Sequence, residues 1–244
     1  MIYQGGCSFL HSPDIFVNTS LSEYFGKDLV NVNNCTEGSS NRQIFRKALL
    51  SIMKSKFDFV LIGWTNSWRN EKSFIEDVLD YKNIDKLLEE SYKNILDTEL
   101  GYTNIAVTSH HNIHCKLEPE GTDDVIMYTI ILNQLLKLKN IPHLFITMGQ
   151  LNPDVLTSRK GWTELIDPKN YYGEGEITNK MNYSITNYFY ELHINEGHSI
   201  LNQNSNLYQT PGYIIDNTAH LNLNGAKKLA ELIKYYLIEN NIII

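Results

Sequence analysis

The chain has no run of about 18 apolar residues, so no segment of it is expected to span a bilayer as a helix. It also lacks a basic excess: 21 Lys and Arg stand against 28 Asp and Glu, a formal charge of −7. An acidic chain has no general attraction for nucleic acid or for an anionic membrane surface, and neither is expected as a partner. Cysteine is sparse. Cys7, Cys35 and Cys115 are widely separated and odd in number, which argues against a disulfide framework and for a reducing, cytoplasmic setting. The opening residues Met1-Ile2-Tyr3-Gln4-Gly5-Gly6 carry neither the basic flank nor the apolar core of a secretion signal. Alanine is scarce while Asn, Ile, Lys and Tyr abound, as in chains translated from AT-rich bacterial or viral genomes. Internal repeats and low-complexity linkers are missing too, so one domain over residues 1–244 is expected.

What is present fits a folded α/β domain. With 42% hydrophobic and 20% charged residues the composition is globular, not disordered. Ile2 to Gly6 reads as a short buried strand running into a tight turn, and Leu29 to Val32 as a second strand. Asn41 to Lys54 reads as a helix with Ile44, Phe45, Ala48, Leu49, Ile52 and Met53 on one face, capped by Ser40 or Asn41. Phe57 to Gly63 is a nearly continuous apolar run, as in a central parallel strand covered on both faces. Further helices are expected over Ile84–Leu96, over Asp123–Lys139 with Thr122 or Asp123 as cap, and over Asn222–Glu239 with Asn222 as cap. Pro142 to Met148 reads as another strand. Residues 150–215 are polar, aromatic and weakly periodic; they are read as a long insertion able to wall a substrate site. Strands alternating with helices imply a parallel sheet whose sites lie beyond the carboxyl ends of the strands.

Four segments carry chemistry. Gly5-Gly6-Cys7-Ser8-Phe9 presents a serine after a glycine turn. A serine hydroxyl becomes a nucleophile only when a base takes its proton and donors hold the oxyanion. Gly-x-Ser turns are frequent, so this segment alone is only a hypothesis. Glu37-Gly38-Ser39-Ser40-Asn41 offers a glycine amide at a helix start, which also reads as a plain capped N-terminus. Gly63-Trp64-Thr65-Asn66-Ser67-Trp68-Arg69-Asn70-Glu71 offers the Asn66 amide to an oxyanion, with Trp64, Trp68 and Arg69 as pocket candidates; its plain reading is a strand-end turn. Ile215-Asp216-Asn217-Thr218-Ala219-His220 sets a histidine at a helix entry with an acid upstream, a base and its orienter, or else a surface residue.

Taken together, the order of these segments resembles the SGNH/GDSL hydrolase family. Gly6-Cys7-Ser8 resembles its Gly-Asp-Ser block, Gly38 its glycine block, Gly63 to Asn66 its Gly-x-Asn block, and Asp216 to His220 its closing Asp-x-x-His block. The whole set also looks like SGNH-type proteins encoded by bacteria and their phages. The resemblance implies a flavodoxin-like three-layer α/β/α sandwich with a central parallel sheet. It further implies Ser8 as nucleophile, His220 as base, Asp216 as orienting acid, and an oxyanion hole built from the Ser8 amide, the Gly38 amide and the Asn66 side chain. The chain departs from the family at three places. Cys7 replaces the aspartate, Asn66 lies three residues after Gly63 instead of two, and Asp216 lies four residues before His220 instead of three, where Asn217 stands. Either the loop bulges to bring Asp216 to the imidazole, or a neutral group orients it.

Ser109-His110-His111-Asn112-Ile113-His114-Cys115 competes as a zinc cluster. His110 and His114 would share a face only on a helix, and the preceding residues read as strand or loop. A polar loop is expected instead, with no metal and no cofactor. Cys7 is a rival nucleophile, but on an extended chain its side chain would point away from that of Ser8. The function expected is hydrolysis of a small or carbohydrate-borne carboxylic ester through an acyl-serine. The alternatives are an O-acyltransferase of the same fold or a non-catalytic binding module on that scaffold. In the insertion, Trp162, Tyr171, Tyr172 and Tyr183 read either as sugar-stacking rings or as packing.

Overall fold

The computed structural model describes residues 1–11, 13–26, 30–36, 39–67, 72–73, 96–97, 102–103, 119–198, 211–215 and 220–242. In chain order its elements are β1 (Ile2–Gly5), α1 (Ser8–His11), α2 (Ser20–Phe25), β2 (Asn31–Asn33), α3 (Asn41–Lys54), β3 (Phe59–Trp64) and three two-residue strands, β4 (Lys72–Ser73), β5 (Leu96–Asp97) and β6 (Tyr102–Thr103). There follow α4 (Pro119–Leu138), β7 (His143–Thr147), α5 (Pro153–Ser158), α6 (Ile177–Asn182), α7 (Ile185–Asn195) and α8 (Leu223–Glu239). Strands β4, β6 and β5 form a small antiparallel sheet. The main sheet is wholly parallel, in the order β2-β1-β3-β7. That order is compatible with a flavodoxin-like doubly wound arrangement.

Every residue of β1, β3 and β7 is buried, as sheet strands covered on both faces require. Alternation of side chains along β3 separates the two layers. Phe59 faces the α2 side, where Phe25 lies 5.1 Å away between ring centres. Trp64, of opposite parity, faces α4, where Tyr128 in turn stacks on Phe45 of α3 at 4.4 Å. Helices α3 and α4 pack together on this face, and α2 packs with α8 on the other.

Most expected elements form, with shifted ends. The second strand runs over Asn31–Asn33, and the cap of α3 is Ser40, whose side chain accepts from the Gln43 amide. Helix α4 begins at Pro119, so Thr122 and Asp123 do not cap it but sit inside it. Thr122 Oγ1 accepts from the Asn152 amide at 2.8 Å, and Asp123 forms a two-pronged pair with Arg159 at 2.8 and 2.6 Å. Residues 84–95 lie outside the described residues, and Leu96 belongs to β5 instead of a helix end.

The segment 150–215, expected as a long insertion able to wall a substrate site, also contributes to the core. Its described part is largely helical and supplies core: Ile166, Tyr171, Met181, Ile185 and Phe189 are all within 1% of complete burial. Tyr171 even adds a single parallel bridge to Phe145, continuing the sheet past β7. Short elements spread few apolar residues among many polar ones, so no regular period appears in the sequence. Among the described residues no helix is long and apolar enough to cross a membrane.

Candidate active site

Ser8 follows the carboxyl end of β1, Asn66 that of β3, and His220 stands just before α8. Past Gly5 the chain turns through Gly6 and Cys7, and Ser8 opens the one-turn helix α1. This turn is held from beneath. Gln4, a fully buried amide inside β1, donates from Nε2 to the Leu10 carbonyl at 2.7 Å. A buried amide must find such partners, and a glutamine inside an apolar strand was the signal in the sequence that could have exposed this brace. Gly63 completes the fit from the neighbouring strand. A Cβ there would overlap the end of the Leu10 side chain, so glycine lets Leu10 pack directly over β3.

His220 arrives from the other end of the chain. The backbone closes on itself just before α8: the Ile215 amide donates to the His220 carbonyl at 2.8 Å, and Ile214 bridges Leu221. Asn222 then anchors the helix, accepting from the Gly225 amide at 2.9 Å and donating to the Gly212 carbonyl at 3.0 Å. The result brings His220 Nε2 to 3.0 Å from Ser8 Oγ, across 212 residues of sequence. With the ring proton on Nδ1, the serine hydroxyl donates to Nε2. Both residues are half-buried, reachable from solvent yet fixed by the core. Phe9 packs its ring against the imidazole, 4.8 Å between centres. Sequence reading missed Phe9, since an apolar residue beside a serine carries no special pattern.

Asn66 lies beyond the end of β3. Asn41, at the start of α3, clasps this loop: its Oδ1 accepts from the Thr65 amide at 2.8 Å, and its Nδ2 donates to the carbonyls of Thr65 and Asn66 at 3.2 and 3.3 Å. Asn41 is therefore a loop brace, where the sequence suggested only a helix cap. Asn66 Oδ1 accepts from the Gln150 amide at 2.7 Å. That bond sets the orientation of the side-chain amide and leaves Nδ2 as its donor group. Gly149 admits Asn66 closely; a Cβ at 149 would overlap it.

Trp64 corrects the pocket expectation. Strand β3 continues through it, and its ring is completely buried, stacked at 6.3 Å on Phe145. It packs in the core of the described residues. Cys7 is completely buried as well, which removes it as a rival nucleophile. Burial also pushes the Cys35 thiol well above its ordinary range, with Cys7 nearby adding to the effect. Gly38, Trp68, Arg69, Asp216 and the whole Ser109–Cys115 cluster lie outside the described residues. Of the aromatic residues noted in the insertion, Trp162 and Tyr171 are packing, at 5% and 0% exposure, whereas Tyr172 and Tyr183 border a cavity whose lining does not include Ser8.

At Ser8 a hydroxyl and an imidazole lie within hydrogen-bond reach, a pairing through which a serine can pass its proton to a base. No known family model matches the chain, and no curated protein matches it in sequence.

Proposed function

We propose that this chain is a serine ester hydrolase of the SGNH type. The single observation that carries the reading is the 3.0 Å contact between His220 Nε2 and Ser8 Oγ. A parallel sheet in the order β2-β1-β3-β7 with helices on both faces supports the finer assignment to a flavodoxin-like α/β/α sandwich. So does the order of serine, glycine, asparagine and histidine along the chain.

In this reading Ser8 Oγ attacks the carbonyl carbon of a carboxylic ester while His220 Nε2 takes the hydroxyl proton. The negative charge that develops on the carbonyl oxygen is met by the Ser8 and Gly38 amides and by Asn66 Nδ2. Collapse of the tetrahedral intermediate breaks the bond to the alcohol oxygen, and His220 returns its proton to that leaving oxygen. The acyl-serine is then attacked by water, with His220 again acting as base, and the carboxylic acid departs. Asp216 orients the imidazole and stabilises its charged form. The substrate class is a small or carbohydrate-borne O-acyl ester. Free thiols at Cys7 and Cys35 suit work in a reducing compartment such as the cytoplasm.

A fluorophosphonate probe tests the reading. Labelling that maps to Ser8 and vanishes in both Ser8→Ala and His220→Ala, with hydrolysis of 4-nitrophenyl acetate falling about a thousandfold or more, is the expected result. Folded chain that neither labels nor hydrolyses the ester overturns it and favours a non-catalytic binder. Acyl transfer to an added sugar in preference to water would identify a transferase.

A further inference from the structure

A group of tyrosines borders a cavity whose lining includes neither Ser8 nor His220. Helix α8 has 17 residues and is about 25 Å long, with His220 just before its first turn. At its other end, against α6, a cavity of about 530 Å³ opens, within the usual range of small-molecule sites. Tyr172, Tyr183, Tyr235 and Tyr236 border it. Tyr172 is the hub of this cluster, with ring centres 5.1 Å from Tyr236 and 6.1 Å from Tyr183. Tyr235 is 63% exposed, a large ring that packing alone does not account for.

The polar groups of this cavity have an unusual balance. Lys180 is only 6% exposed, yet among the described residues no carboxylate pairs with it. Its Nζ donates to the Pro168 carbonyl at 2.8 Å and to the Tyr236 hydroxyl at 2.7 Å, which leaves one of its three N–H groups unassigned. Burial lowers its pKa. Glu174 and Glu239 also border the cavity, along with Asn179 and Asn240. Two carboxylates against one ammonium disfavour a phosphate or carboxylate ligand. The same groups suit a neutral polyhydroxylated one: carboxylates accept from hydroxyls, while the ammonium and the amides donate to ring and hydroxyl oxygens. Tyrosine rings add flat apolar faces for the C–H face of a pyranose, with hydroxyls at their tips.

We propose that this cavity is a neutral-saccharide subsite, separate from Ser8 and His220, sized for a short oligosaccharide. It stands apart from the ester-hydrolase reading, because none of its residues belongs to that machinery.

The test titrates chitotriose, maltotriose and xylotriose into the full-length Ser8→Ala chain by calorimetry and saturation-transfer NMR. One trisaccharide is expected to bind with a Kd of about 0.1–1 mM. Tyr235→Ala, Tyr183→Ala and Glu239→Gln should each weaken that binding at least tenfold. In the chain that keeps Ser8, Tyr235→Ala and Glu239→Gln should leave hydrolysis of 4-nitrophenyl acetate unchanged. Failure of all three sugars to bind folded chain overturns the proposal. So does binding that survives Tyr235→Ala and Glu239→Gln, or a sugar that blocks fluorophosphonate labelling at Ser8. A catalytically silent chain that still binds sugar through Tyr235 would sink the hydrolase reading and leave this one standing.

Discussion

The ring of Phe9 lies 4.8 Å from the imidazole of His220, tilted by 32°, while Ser8, its neighbour in sequence, lies 3.0 Å from Nε2 of the same ring. Two consecutive residues of one helical turn thus meet the imidazole in different ways. One sets the distance at the edge of the imidazole and the other sets its plane.

Phe9→Leu keeps apolar volume but removes the flat partner. We expect kcat on 4-nitrophenyl acetate to fall about tenfold with KM little changed, and stability to fall by no more than about 1.5 kcal/mol. Unchanged kcat at full folding would show that the imidazole needs no such wall.

The proposed role of Asp216 as orienting acid is tested by a pair of variants. Asp216→Asn should lower kcat by about 10³–10⁴, as loss of an orienting carboxylate does elsewhere, and Asn217→Ala should cost far less. Equal losses would hand the role to Asn217 or to the loop as a whole.

Asn66→Ala should lower kcat by about 10²–10³ with KM nearly constant, the signature of a lost oxyanion donor. Asn41→Ala acts one step back. It strips buried partners from Thr65 and Asn66, and a loss of roughly 2–4 kcal/mol by denaturant melts should accompany a lower kcat.

Gly63→Ala pushes a methyl into Leu10, which shares a helical turn with Ser8. Overpacking of this kind costs about 1–3 kcal/mol. Activity should drop further than stability explains, because the displaced turn carries Ser8, the proposed nucleophile. A variant melting lower yet fully active would show that the strain relaxes elsewhere.

His143 sets a pH dependence of folding. It is 4% exposed, with Nδ1 2.9 Å from the Ile141 carbonyl and Nε2 3.0 Å from Asn133 Oδ1 and 3.1 Å from Asn170 Nδ2. Burial, the dominant cause, lowers its pKa from 6.5 to about 4. Between those values the unfolded chain binds the extra proton, so the stability this neutral ring contributes is complete above pH 6.5 and is lost on acidification toward pH 4. The loss approaches about 3 kcal/mol. Melts from pH 7 to 4.5 should show the slope, and His143→Gln should flatten it; an unaltered slope would assign it to other groups.

Much of the framework was legible in the residues. The apolar run at Phe57–Gly63, the helical stripe of α3 and the Asn222 cap of α8 each follow from local pattern, because burial on one face or two writes a period into the chain. Ser8 and His220 were legible as a pair only through their order among four segments. Trp64 was misread because a strand's last residue and a loop's first look alike in sequence; only burial separates them. The core contribution of the described part of 150–215 was not legible, because Tyr171, Ile185 and Phe189 reach the core from short helices and bridges whose spacing repeats nowhere.

By itself the sequence determined which segments turn apolar faces inward and where glycine, serine, asparagine and histidine fall along the chain. These are local properties, set by side-chain chemistry and by the periods of helix and strand. Only the tertiary structure decided that His220 meets Ser8, that Asn41 braces the loop of Asn66, and that four tyrosines and Lys180 enclose a cavity at the far end of α8. Contacts between residues so distant in the chain depend on how the sheet and its two helical layers pack, which no stretch of sequence encodes alone.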